Sequence, residues 1–389
     1  MSAHPYQNVA IVGAFNSRQA RVLEGHTSQS IALEAALGAI KETGLAVDEI
    51  DGVFGRPGDE VGYALGLNMF TNGSAGGFGI PAVIEAANAI AAGAVETALV
   101  VFGSAGLYTA RESTAPWTRP GNEWVAPYGM YTAVEFALIA RRHMHLYGTT
   151  PEQLATVAAT IRNNGSDHPG AVYYGRGPFT VEDILASRIV ADPFHLLDCS
   201  TTSEGGAAVI LTTAERAADL PVVPVRILGG GSDALGPFYQ HPPRWDLTGS
   251  REAGIPNGYV GRRAAQHAFR TGGLTPADVD VCEFYDPFSF EIIRQFEAFG
   301  FCTEGEGGPF VMDGRIGPGG QYPITTDGGT MSFGHSGVPQ HLQRVIRAVH
   351  QLQGRCDTNQ VKDAEVALCS NGGAGALFTH VLLLGKELA

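Results

Sequence analysis

The chain has 389 residues, 44% of them hydrophobic, and a formal net charge of −14. That length supplies more than one domain-sized core, while the acidic balance and the lack of a long Lys/Arg cluster argue against nucleic acid or an anionic membrane as the main partner. No run of about 18 apolar residues is present to span a bilayer. Residues 1–18 lack a secretion-signal layout, and five cysteines without C-x-x-C spacing suggest neither a disulfide framework nor a zinc site, so a cytoplasmic globular protein is expected.

In chain order, a buried strand "VAIVGA" (9–14) precedes "AIKETGLAVDEIDGVF" (39–54), which reads as a helix, a Gly-Leu stop, an acidic turn and a second strand. A Gly/Ser turn and a helix of about four turns follow in "NGSAGGFGIPAVIEAANAIAAG" (72–93), then an apolar strand running into a glycine loop, "ETALVVFGSAG" (96–106). Residues 107–193 form a long excursion rich in aromatics, with helices of its own such as "TAVEFALIARRHMHLYG" (132–148); such an insertion caps a site or forms a partner surface. On that helix His143 and His145 point apart, which argues against a metal pair. The strand "GGAAVILTTAERA" (205–217) closes this half.

The same order then repeats. "AFRTGGLTPADVDVCEF" (268–284) matches 39–54, "GGTMSFGHSGVPQHLQRVIRAVHQLQG" (328–354) matches the glycine turn and helix, "DAEVALCSNGGAG" (363–375) matches the strand and loop, and "GALFTHVLLLGKE" (375–387) matches the closing strand. The reading is an α/β protein of two similar halves, 1–220 with its insertion and 221–389, each a mainly parallel sheet covered on both faces. A pseudo-twofold axis brings the glycine turns at 72–77 and 334–337 towards one crevice, where helix N-termini offer an oxyanion site. His335, inside the second turn, is a candidate acid/base group there or a plain turn residue.

The duplicated halves, "GHSG" (334–337), "CSNGGAG" (369–375) and "LLDCSTTSEGGAAVILT" (196–212) resemble the thiolase superfamily over essentially the whole chain, nearest its sterol-carrier or lipid-transfer-protein-type branch. The resemblance implies a five-layer α-β-α-β-α thiolase fold with a loop-domain insertion, and a homodimer. Thiolases carry a nucleophilic cysteine, an Asn-Glu-Ala-Phe turn, a Gly-His-Pro turn and a Cys-x-Gly-Gly-Gly loop. Cys369 matches the last, with Asn371 in place of a glycine, and His335 matches the third, with Ser336 in place of the proline. "YDPF" puts Tyr285 and Asp286 at the Asn and Glu positions of the second. Gly73 stands where the nucleophile belongs, with Ser74 beside it.

Glycine has nothing to acylate, so a covalent acyl-enzyme is not expected. "EFYDPFS" (283–289) followed by "GFCTEGEGG" (300–308) resembles instead the bacterial aldolases of steroid side-chain breakdown, which pair with a small OB-fold protein of the DUF35 type. The implied activity is retro-aldol cleavage of a bulky β-hydroxyacyl-CoA, with coenzyme A entering only as part of the substrate and no resident cofactor or metal. Tyr285 is then the candidate base, His335 holds the enolate oxygen or shuttles the proton, and Cys369 is a candidate α-carbon acid. Asp286 is either catalytic or the first-turn cap of the helix "FSFEIIRQFEAFG", and Gly73, Ser74, Ser332, Asn371 and Gly372 are candidate oxyanion or substrate contacts. A thiolase-like acyltransferase and a non-catalytic acyl-CoA-binding scaffold are the alternatives.

Overall fold

The computed structural model describes residues 5–67, 71–73, 78–107, 132–234, 260–373 and 377–386. Its first half holds the strands Val9–Asn16 (β1), Gly52–Arg56 (β2), Thr71–Gly73 (β3), Thr97–Ser104 (β4) and Gly205–Thr213 (β7), and the helices Ser28–Thr43 (α1), Gly58–Leu65 (α2) and Gly79–Ala91 (α3). Between β4 and β7 come the helices Thr132–Tyr147 (α4), Pro151–Asp167 (α5) and Val181–Ala186 (α6), with a small pair of strands, Ile189–Ala191 (β5) and Phe194–His195 (β6). Ala214–Ala218 (α7) leads to the second half, with strands Val225–Ala234 (β8), Val281–Glu283 (β9), Val366–Gly373 (β10) and Phe378–Lys386 (β11). Its helices are Arg262–Gly272 (α8), Ser289–Phe299 (α9), Gly307–Phe310 (α10), Gly329–Ser332 (α11) and Gln340–Leu352 (α12).

The large sheet runs β3-β2-β4-β7-β1-β8-β11-β10-β9, so the halves are joined through β1 and β8. Read outward from that seam, β1, β7, β4, β2 corresponds strand for strand to β8, β11, β10, β9. The place of β3 is taken in the second half by Ile324, which bridges Cys282 in parallel. The helix stops match as well: α1 ends on Gly44 at φ 75° and α8 on Gly273 at φ 68°, left-handed positions that glycine adopts without a Cβ clash.

Strand alternation builds the layers. Ala10 and Val12 of β1 and Leu99 and Val101 of β4 pack on Ala35, Ala36 and Ala39 of α1, while Val9, Ile11, Val100 and Phe102 point the other way, onto α3 and α12. The second half contributes Ala367, Cys369 and Leu382 to that same middle layer, and turns Leu368, Val381 and Leu383 outward onto α8 and α9. With both halves of the one sheet facing the same helix pair, the order is helix, half-sheet, helix pair, half-sheet, helix, the five layers the resemblance implies.

The sheet is not mainly parallel. Of the eight strand pairings in it, β2–β3, β2–β4 and β9–β10 are parallel and the other five antiparallel. Only the helix crossovers give parallel neighbours; each half then returns by an antiparallel strand, and the seam is antiparallel too. Periodicity shows that a strand is buried on both faces, which α/β crossovers and sandwiched return strands share.

The insertion helices lie over the second half. His143 of α4 is buried and faces Glu297 of α9, 3.0 Å from both carboxylate oxygens, and its other ring nitrogen meets Thr149 at 2.7 Å. His145 is exposed, as the helical spacing requires. α5 is capped by Thr150, whose hydroxyl accepts from the Gln153 amide, and it packs on α9 and α11.

Candidate active site

The "YDPF" turn leaves β9 and is fixed from both sides. The Tyr285 amide donates to the Ser370 hydroxyl of β10 at 2.9 Å, and its carbonyl accepts from Gln295 Nε2 of α9 at 2.7 Å. Ser370 in turn donates to Gln295 Oε1, closing a ring of buried polar groups around the Tyr285 backbone. An amide and a hydroxyl inside an apolar layer survive because each meets a partner. The phenol is thereby aimed by its backbone.

Asp286 ties this turn to the segment carrying His335. Its two carboxylate oxygens accept from the amides of Thr330 (2.8 Å) and Met331 (3.1 Å), and the Thr330 hydroxyl donates to its carbonyl at 2.6 Å. It therefore caps α11, not the helix that follows it in sequence. Complete burial pushes its pKa up to about 6, against the opposing pull of Arg344 and the two amides. That arrangement makes Asp286 a positioning residue.

His335 sits in an extended loop stitched to residues 201–203: its amide donates to the Thr201 carbonyl at 2.8 Å and its carbonyl accepts from the Ser203 amide at 3.0 Å. Gly334 precedes it at φ 152°, where a Cβ would lie 2.5 Å from the Ser203 hydroxyl oxygen, so the close approach excludes any larger residue. Arg162 of α5 locks the underside: it donates to the carbonyls of Leu197, Cys199 and Met331 and stacks over Tyr173, 4.4 Å from the ring centroid. Desolvation lowers the His335 pKa to about 4, so the imidazole is neutral at ordinary pH and acts as a hydrogen-bonding group.

The rings of Tyr285 and His335 lie 6.5 Å apart, centroid to centroid. Around them gathers an aromatic and imidazole nest: His341 of α12 lies 5.5 Å from Tyr285 and 5.1 Å from Phe78 at the start of α3, and Phe78 lies 5.1 Å from Phe378 and 5.7 Å from His380 of β11. His380 pairs across the strands with Asn371, which places the two side chains on one face of the sheet. The Asn371 amide is fully buried, and neither its nitrogen nor its oxygen has a hydrogen-bond partner among the described residues. A Cβ on Gly372 would stand 3.6 Å from Tyr285 Cδ1, so this glycine lies beside the phenol ring.

Cys369 is not brought to this nest. It lies two residues earlier on the face that bears Asn371, within the middle layer, where its thiol donates to the Arg344 carbonyl at 3.5 Å and burial pushes its pKa well up. A thiol with no accessible surface among Val345, Val349 and Leu382 is a packing group. Ser332 commits its hydroxyl to the Arg162 carbonyl at 3.2 Å and serves as a joint between α5 and α11. Gly73 ends β3 opposite Phe54; Ser74 lies outside the described residues. Beneath the turn, Arg344 of α12 makes a two-pronged pair with Asp327 (2.9 and 3.1 Å) and reaches Glu283 at 3.5 Å. Burial, together with the Asp327 charge, raises the Glu283 pKa to about 7.

Sequence reasoning missed Arg162, Gln295, Ser370, His341 and His380. Only His341 left a signal, as a second histidine six residues after the first at the head of a helix.

Residues 258–386 match the model of the thiolase C-terminal domain-like family. The chain is 32% identical to a steroid side-chain-cleaving aldolase of Thermomonospora curvata, over 90% of this chain and 93% of that protein. The chain belongs to the thiolase superfamily, among its carbon–carbon lyases. It is also 32% identical to the 17-hydroxy-3-oxo-4-pregnene-20-carboxyl-CoA lyase of Mycobacterium tuberculosis, over 90% and 92% of the two chains. Among solved structures, the Ltp2-ChsH2(DUF35) aldolase superposes with a TM-score of 0.83 at 30% identity, covering 98% of both chains. Human mitochondrial 3-ketoacyl-CoA thiolase, at 15% identity and a TM-score of 0.71, shares the fold of this lyase.

Proposed function

We propose that this lyase cleaves the bond between the α- and β-carbons of a bulky, steroid-like β-hydroxyacyl-CoA by a retro-aldol step. The observation that carries the reading is a phenol beside a neutral imidazole, Tyr285 and His335, in a site whose nucleophile position is glycine and whose cysteine lies in the core. Tyr285 takes the β-hydroxyl proton; the electrons of that O–H bond form the ketone carbonyl, and those of the breaking carbon–carbon bond move onto the thioester as an enolate. His335, and the Asn371 amide within the same nest, donate to the enolate oxygen, and a proton returned to the α-carbon releases the shortened acyl-CoA. A base, hydrogen-bond donors and an acid suffice, so the step asks for no resident metal or cofactor.

The likeness to the Ltp2-ChsH2(DUF35) aldolase along almost the full length of both chains supports a partner of the DUF35 type, the small OB-fold protein that the sequence resemblance implies; the homodimer rests on that resemblance alone. Purified with that partner, the lyase is expected to release a ketone or aldehyde from a bulky β-hydroxyacyl-CoA. Tyr285→Phe is expected to reduce turnover by about 10²–10⁴-fold. Equal turnover by the variant would remove Tyr285 as base.

A further inference from the structure

The mechanism above leaves two imidazoles of the nest unused, His341 and His380. His341 opens α12 and is only 6% exposed, and its Nδ1 has no hydrogen-bond partner among the described residues. An orphaned polar atom in a protein interior is costly unless a ligand meets it, and this one lies in the nest that contains Tyr285. The ring is wedged between Tyr285 and Phe78, at 5.5 and 5.1 Å, so it has no freedom to swing to solvent. The groups facing it are His335, His380 and the phenol of Tyr285, with Phe78 and Phe378 behind. His380 is tied to Ser232 at 2.7 Å through its Nδ1 and has its Nε2 unpaired among the described residues, but it packs on Phe78 and Phe378, whereas His341 packs on the Tyr285 ring itself.

The chemistry of this nest narrows its ligand. Burial and the two neighbouring imidazoles hold His341 well below the ordinary histidine pKa, so it is neutral. A neutral imidazole carries one N–H and one lone pair, which match a hydroxyl that both donates and accepts. With His335 and His380 also held neutral, near pKa 4, the nest offers no charge to a carboxylate or an ammonium group. The hydroxyl presented to Tyr285 in the lyase reaction is the group of that kind which must come closest.

We propose that His341 holds the substrate's β-hydroxyl through its free ring nitrogen, alongside Tyr285, and so selects β-hydroxyacyl thioesters over their deoxy counterparts. The inference rests on the lyase reading for the identity of the ligand. It makes His341 a substrate-contacting residue that sets specificity: it orients the hydroxyl for proton removal and leaves an acyl chain without one facing an unpaired nitrogen.

The test compares two ligands in the Tyr285→Phe background, where cleavage is suppressed: a bulky β-hydroxyacyl-CoA and the same acyl-CoA lacking the hydroxyl, each titrated calorimetrically into the complex. The expected result is a preference of about tenfold or more for the hydroxylated ligand, falling below about threefold when His341→Phe is added and partly restored by His341→Asn. A preference that persists in His341→Phe, or is absent before His341 is changed, overturns the proposal. Should His341→Phe fail to fold, His341→Ala gives the same readout, because misfolding weakens both ligands and leaves their ratio alone. If the unsubstituted complex cleaves no β-hydroxyacyl-CoA, the lyase reading falls, while the binding ratio still decides the role of His341.

Discussion

At the scale of single residues, the site is a set of uncharged hydrogen-bonding groups held in place by their neighbours. His335 is the clearest case: desolvation favours the neutral ring, so the imidazole is expected to hold one protonation state from pH 8 down to about 5 and to titrate near 4. Selective labelling and an NMR pH titration read this directly; an inflection near 6.5 would show that the ring is solvated. A second expectation concerns the polar ring behind Tyr285. Ser370→Ala removes the acceptor for the Tyr285 amide and leaves Gln295 Oε1 unpaired, which is expected to cost about 1–3 kcal/mol in urea unfolding and to lower kcat more than it raises KM. Unchanged kcat would mean that the backbone of this turn is held elsewhere. His335 stood out in the sequence because glycines mark out its short turn, whereas Tyr285 was named only through the resemblance of "YDPF" to the thiolase Asn-Glu-Ala-Phe turn. Gln295 and Ser370 were not legible, because a polar residue on an apolar helix or strand reads as a solvent-facing position until the partner that buries it is known.

At the scale of elements, three segments distant in sequence are pinned into one. Arg162 brings α5, the loop at 197–201 and α11 together, and Asp286 joins the β9 turn to α11. Arg162→Met strips several buried carbonyls of their donor and is expected to destabilise the fold by about 3 kcal/mol or more. The pKa of Asp286 gives a pH signature with a definite sign. Its folded value, about 6, lies above the ordinary carboxylate value, so the folded state binds more protons than the unfolded chain between about pH 4 and 6. The contribution of its carboxyl is therefore full at low pH and is lost as pH rises through 6. Asp286→Asn should accordingly cost more stability at pH 4 than at pH 7 in paired urea unfolding curves. A larger cost at pH 7 would show a carboxylate held ionised by Arg344. The sequence left Asp286 either catalytic or a cap of the helix immediately following it, and the third role was hidden because the short α11, 43 residues further on, carries no periodic signature of its own.

At the scale of the whole molecule, the duplicated architecture was visible because each landmark occurs twice in the same order. What stayed hidden was strand direction. "VAIVGA" and "GGAAVILTT" are apolar on both faces, and nothing in such a run says whether its neighbour is parallel; only the placement of β1 and β7 side by side shows the antiparallel return. The same geometry explains where Cys369 lies. The sequence puts it in the loop of the Cys-x-Gly-Gly-Gly pattern, but the strand continues through Gly373, so the thiol falls inside the middle layer and Asn371 takes the end that reaches the site. The two halves of the sheet close on α3 and α12 and bring Phe78, at the start of α3, against His341 of the second half. The second half supplies Tyr285, His335, His341, Asn371 and His380, and the first half adds Phe78 and the 201–203 segment that holds His335.

The central claim is that carbon–carbon cleavage proceeds here without an acylated protein. The most direct measurement incubates the complex with a bulky β-hydroxyacyl-CoA, follows both small-molecule products by mass spectrometry, and records the intact mass of the chain during turnover. The account predicts equal amounts of carbonyl product and shortened acyl-CoA on an unmodified polypeptide. An acyl group found on the chain, or free coenzyme A released in place of the shortened thioester, would contradict it.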